Sequence, residues 1–162
     1  MGAGTPQEEH FFDAGVLIGA LLSQDLRHAE ALPLVEAARR GDWAACTSTG
    51  ILAEVYVHLT NKRASPPHTP AEAQAALLRL IEPPSALRIV AENGFETALH
   101  MLSLAEANGL RSKNVHDARH AASALGGGAT TVFTYDPEDW KQFEKAGLRI
   151  GGPASTLRRL GR

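Results

Sequence analysis

Four carboxylates spaced along the chain are the residues best placed to do chemistry: Asp13, Glu54, Asp117 and Asp136. Asp13 sits between Phe11-Phe12 and Ala14-Gly15-Val16-Leu17-Ile18, with no capping pattern after it. A carboxylate in such a run is costly unless something cationic meets it. Glu54 lies near the start of a helical stretch over 50–61, and Asp117 near the start of another over 115–125. Asp136 directly follows the β-branched run Thr130 to Thr134. Acids gathered within a few ångströms repel one another strongly while ionised. A hard divalent cation, Mg²⁺ or Mn²⁺, relieves that repulsion, because it takes oxygen ligands, keeps several waters and leaves room for a substrate phosphate. The chemistry these acids point to is metal-assisted phosphodiester hydrolysis.

Each acid taken singly also has a structural reading. Asp136 before Pro137 reads as an N-cap with proline at the first helical position. Glu54 and Asp117 suit the positive end of a helix dipole. Their joint placement, one at each strand–helix junction, is what favours chemistry.

The elements that must position them alternate along the chain. A strand over about 10–13 leads into a helix at 16–22, and a helix over 27–40 carries Leu32, Val35 and Ala38 on one face. A strand at 43–47 precedes the helix bearing Glu54, with Thr47, Ser48 and Thr49 as candidate caps. After the proline-rich loop 64–70 come a helix to about Ile81, a strand at 87–90 and a helix at 95–107 closed by Asn108-Gly109. The helix bearing Asp117 ends at Gly126-Gly127-Gly128. A strand at 130–134, a short helix to Gly147, a strand at 148–150 and a helix from Pro153 complete the pattern. Alternation of this kind predicts a three-layer α/β/α sandwich around a mostly parallel central sheet. In such sheets, ligands bind at the carboxyl edge of the strands. Residues 1–9 read as a flexible leader and 10–162 as a single domain.

The 44% apolar and 21% charged fractions are those of an ordinary globular protein, and the formal charge of −2 argues against a general nucleic-acid coat. A lone cysteine, Cys46, forbids an internal disulfide and suits a reducing cytoplasm. The sequence shows neither a signal-peptide pattern nor an apolar run approaching the roughly 20 residues of a membrane span.

The joint pattern resembles the PIN-domain ribonucleases, most closely the VapC-type toxins of bacterial toxin–antitoxin pairs. The stretches that carry the resemblance are Phe-Phe-Asp-Ala-Gly-Val-Leu at 11–17, Thr-Ser-Thr-Gly-Ile-Leu-Ala-Glu-Val-Tyr at 47–56, Val-His-Asp-Ala-Arg-His-Ala-Ala-Ser-Ala-Leu at 115–125 and Val-Phe-Thr-Tyr-Asp-Pro-Glu-Asp-Trp at 132–140. The resemblance implies that Asp13, Glu54, Asp117 and Asp136 bind Mg²⁺ or Mn²⁺ and cleave RNA, with Thr134 in the hydroxyl position accompanying the fourth acid. It also implies a cognate antitoxin that covers the acidic site, and a homodimer formed through helices, for which Leu17, Leu21, Leu52 and Leu59 are interface or core candidates. One departure stands out: where such proteins often carry Asn or Ser two residues after the first acid, this chain has Gly15. Arg111, Lys113 and Arg119 flank Asp117, and Lys62-Arg63 follow the helix bearing Glu54, as candidate contacts for RNA phosphates.

Two alternatives compete. His116-Asp117-Ala118-Arg119-His120 places two histidines at i and i+4, as in zinc hydrolases, but with the shorter Asp beside them and no third ligand marked. Two other readings compete with that: both histidines near the mouth of the site, or His120 as a surface residue. The other alternative is a catalytically weak α/β module that acts by binding a protein, a reading that rests on Gly15.

Overall fold

The structure, a computed structural model, describes residues 7–162. Among these residues five strands form one sheet: β1 (His10–Phe12), β2 (Ala45–Thr47), β3 (Arg88–Ile89), β4 (Thr131–Phe133) and β5 (Arg149–Gly152). The spatial order is β3-β2-β1-β4-β5 and every neighbouring pair is parallel. His10 and Phe11 pair with Ala45 and Cys46 on one side and with Thr131 and Val132 on the other. Phe11 and Phe12 point to opposite faces, as successive strand residues must, and both are fully buried, so both faces of the sheet are covered. Phe11 meets Trp140 on one face, whereas Phe12 packs on Trp43 and Phe133 on the other. The ring of Phe133 lies over β5, where a Cβ on Gly152 would come within 3.1 Å of it; the glycines of β5 make that packing possible.

Eight α-helices accompany the strands among the described residues: α1 (Ala14–Leu21), α2 (His28–Arg40), α3 (Thr49–Thr60), α4 (Pro70–Ile81), α5 (Gly94–Ala107), α6 (Val115–Gly126), α7 (Pro137–Lys141) and α8 (Ala154–Arg159). Local chemistry sets several of their starts. Ser48 caps α3, Asn93 caps α5, and Thr69 with Glu72 forms a full capping box at α4. Helix α1 begins at Ala14, two residues earlier than expected. The inner face of α2 is Ala31, Val35 and Ala38, with Leu32 left exposed in place of the expected inward position. Strand β5 runs on to Gly152, two residues past the expected end.

Order in the sheet decides where a site can form. The chain builds outward from β1 through β2 to β3, then crosses back to lay β4 on the other side of β1. The carboxyl ends of β1 and β4 therefore flank the point where strand order reverses, which is where open parallel sheets leave a crevice. Asp13 directly follows β1, and Asp136 lies three residues past β4.

Of the expected leader, residues 1–6 lie outside the described residues. Glu9 accepts two hydrogen bonds from Arg88 of β3, at 2.9 and 2.6 Å, and Glu8 pairs with Arg149 of β5. Cys46 is buried in β2, where burial pushes its thiol up to about 12, far from the thiolate a nucleophile needs. None of the described helices is long and apolar enough to cross a membrane.

Candidate active site

Asp13 is the best-anchored acid. Its backbone N–H donates to the Phe133 carbonyl at 3.0 Å, which locks the end of β1 to β4. Its Oδ1 accepts from the Ala14 N–H at 2.8 Å, so Asp13 is the N-cap of α1, a role its sequence context did not suggest. Oδ2 accepts from Thr134 Oγ1 at 2.7 Å and from the Trp140 indole Nε1 at 2.9 Å. Thr134 is itself fixed, since its Oγ1 accepts the Asp136 N–H and its carbonyl accepts Thr156 Oγ1. Asp136 occupies the N-cap position of α7 as expected, but its side chain makes no capping bond and stays free.

Asp13, Glu54, Asp117 and Asp136 all line one open pocket of about 670 Å³, together with Asp139, Arg27, Arg119 and His120. Glu54 lies in the second turn of α3, a turn deeper than expected, and stands half-exposed. His120 Nε2 lies 2.8 Å from Glu54 Oε1. A carboxylate only accepts, so Nε2 carries the hydrogen and donates. That bond, the largest influence on Glu54, holds its carboxyl below the usual range. Burial pushes Asp13, Asp117 and Asp139 the opposite way. Asp13 is raised by desolvation in spite of its three donors. Asp117 rises from 3.8 to about 6, mainly by desolvation and then by the charge on Asp139. Asp139 is raised by desolvation and by Asp136.

The family model for the PIN domain matches residues 10–146. This chain belongs to the PIN-domain family. Among solved structures it is similar to VapC20 of Mycobacterium tuberculosis, described as a sarcin–ricin loop cleaving toxin. That match has a TM-score of 0.64 at 20% identity and covers 89% of this chain and 99% of that one. It is also similar to VapBC2 from Rickettsia felis bound to promoter DNA, with a TM-score of 0.61 at 16% identity over 88% of this chain and 98% of the other. The DNA-bound VapBC of Salmonella typhimurium gives 0.57 at 18% identity over 89% and 97%. No curated protein matches.

Whether this PIN domain's pocket suits a divalent cation is answered by its donor chemistry. The groups facing the pocket from the sheet edge are carboxylate oxygens, the hard donors that such a cation takes. Among the described residues no three such side chains already stand in metal-holding geometry. Glu54, for one, is drawn to His120. The donor set fits a hard cation, which Asp13, Glu54, Asp117 and Asp136 would hold between them.

The remaining expected residues separate clearly. Arg119 lines the pocket, and Thr134 lies buried behind Asp13 as its donor. Arg111 and Lys113 are exposed at a 3-10 turn over Ser112–Asn114 and do not line the pocket. His116 and His120 both line the pocket, as the site-mouth reading expected. His116 is exposed, while His120 is buried, which corrects its surface reading, and its Nε2 is engaged by Glu54, so the pair offers no ready zinc site. Leu17 and Leu59 are fully buried core, not interface. Sequence reasoning missed Trp140 as a donor to Asp13, Asp139 as a fifth acid and Arg27 as a pocket cation. Only Asp139 left a signal, in the density of acids at 136–139.

Proposed function

We propose that this chain is a divalent-metal-dependent endoribonuclease, the toxin of a toxin–antitoxin pair, with Mg²⁺ or Mn²⁺ as cofactor. The observation that carries this reading is the meeting of four acids from four distant segments in one pocket at the strand-order reversal. When bound, the cation would polarise the scissile phosphate and lower the pKa of a water. The protein's own contribution is orientation: Trp140 and Thr134 fix Asp13, His120 fixes Glu54, and Asp117 on α6 faces them. Arg119 would meet substrate phosphate, whereas Arg111 and Lys113 would serve only an RNA reaching beyond the pocket.

A cognate antitoxin is the natural partner, since several structural neighbours are VapBC assemblies. A homodimer draws support from Phe95, Leu99 and Leu102, exposed at i, i+4 and i+7 on α5. With RNA as substrate the site of action is the cytoplasm.

The test is RNA cleavage by the purified chain with Mg²⁺, with Mn²⁺ and with excess EDTA, beside Asp13→Asn and Asp117→Asn. We expect cleavage that requires the metal and drops at least a hundredfold in either variant. Metal-independent cleavage, or cleavage that survives both substitutions, would refute the nuclease reading. RNA left intact by a folded chain that captures a protein partner would favour the binding-module reading.

A further inference from the structure

Gly15, the residue where the family pattern is broken, faces Arg27. A Cβ built on Gly15 would lie 2.8 Å from Arg27 Nη1, too close for both to stay in place. The absent side chain is therefore space that a guanidinium occupies. Arg27 is held there by two neighbours, Asp25 and Tyr135. Its Nε and Nη2 donate to Oδ1 and Oδ2 of Asp25 at 2.8 and 2.7 Å, its own N–H donates to Oδ1, and its guanidinium carbon lies 5.2 Å from the centre of the Tyr135 ring. Nη1 makes no hydrogen bond among the described residues. The fork is fixed along one edge and free along the other.

The free edge has a setting. Arg27 and His58 line the acidic pocket and also a second hollow of about 600 Å³, which includes Arg63. Arg27 thus stands on the ridge between an anionic pocket and a neighbouring trough with a cation of its own. A phosphodiester chain entering a pocket rimmed by acids needs a cation at the threshold, and a planar guanidinium held on one edge is well suited to a phosphate oxygen on the other. We propose that Arg27, in the space left by Gly15, is a phosphate-binding residue for RNA, holding a phosphate beside the one at the acids while the strand continues toward Arg63. This rests on the nuclease reading for its substrate class. It makes Gly15 an adaptation coupled to Arg27 rather than a lost ligand.

The experiment is fluorescence anisotropy of a short labelled single-stranded RNA with the full chain in excess EDTA, over a range of salt concentrations. Wild type is compared with Arg27→Gln, Arg27→Lys, Gly15→Ser and the Gly15→Ser/Arg27→Gln double variant, with melting curves alongside. Loss of one charge-assisted contact predicts about tenfold weaker binding in Arg27→Gln. The slope of log affinity against log salt should also shrink by about 0.7. Gly15→Ser should weaken binding similarly by pushing the guanidinium aside, and should add little on top of Arg27→Gln. Arg27→Lys, which keeps the charge without the fork, should fall between. Wild-type affinity and slope in a folded Arg27→Gln overturn the proposal, as does a wild-type chain with no measurable RNA binding. If Arg27→Gln fails to fold, Gly15→Ser decides: full affinity there overturns it. Cleavage assays run in parallel separate the two ideas, because Arg27-dependent binding by a chain that cuts nothing sinks the nuclease reading and leaves this one standing.

Discussion

Asp117 shows how a single carboxyl in this pocket links charge to stability. Its value rises from 3.8 to about 6, first through desolvation and then through Asp139. An acid whose folded value is raised holds a proton in the folded chain that the unfolded chain has already lost. Metal-free stability therefore falls as pH climbs from about 4 to about 6, and stays lower above that. Asp117→Asn removes the term: in EDTA it should stabilise the chain at pH 7, on the order of 1 kcal/mol after allowing for partial solvent exposure, and change little at pH 4. Urea titrations at the two pH values check this, and an equal effect at both would refute it. The acids themselves were legible because their spacing along the chain is a sequence property. What each acid touches was not. Trp140 reaches Asp13 across 127 positions and His120 reaches Glu54 across 66. The side-chain cap that looked evident at Asp136 is not made, while Asp13, with no visible motif, caps α1.

Among the elements, the end of α6 gives the sharpest contrast, for its three consecutive glycines stand in three different environments. Gly126 has open space where a Cβ would go, Gly127 would place one 2.4 Å from Val90 Cγ1, and Gly128 has φ of +88°. Replacing each by Ala should give three outcomes in chemical denaturation. Gly126→Ala should be neutral or stabilising by up to about 1 kcal/mol, through helix propensity and a stiffer unfolded chain. Gly127→Ala should cost about 1–3 kcal/mol through overpacking against a β-branched neighbour. Gly128→Ala should cost about 1–2 kcal/mol through left-handed strain. Equal effects at all three would refute this assignment. The triple glycine read from sequence as one helix stop, and it is that, but periodicity cannot show which glycine abuts a strand end. The same limit appears at α2, where Leu32 and Ala31 are adjacent and only packing decides that alanine turns inward. The α/β alternation was legible from turn and cap signals such as Gly41, Thr69-Pro70 and Asn108-Gly109, which cut the chain into strand-length and helix-length pieces.

For the molecule as a whole, a cation that binds only the folded chain must stabilise it by mass action. At a hundred times its dissociation constant, that is about 2.7 kcal/mol. Mg²⁺ or Mn²⁺ should therefore raise the melting midpoint by several degrees at pH 7.5 and by clearly less at pH 5, where protons compete for the lifted acids. Asp13→Asn should abolish most of the shift, and a shift of equal size in that variant would place the ion elsewhere. The pairing of β1 with β4 has a consequence in time. Both side-chain donors to Asp13 Oδ2 come from residues 121 and 127 positions later, and the crevice does not exist until β4 lies beside β1. On the ribosome Asp13 emerges 127 residues before Trp140. Long-range parallel pairing is also slow to form. A site that depends on these acids is therefore complete only in a polypeptide already translated through Trp140.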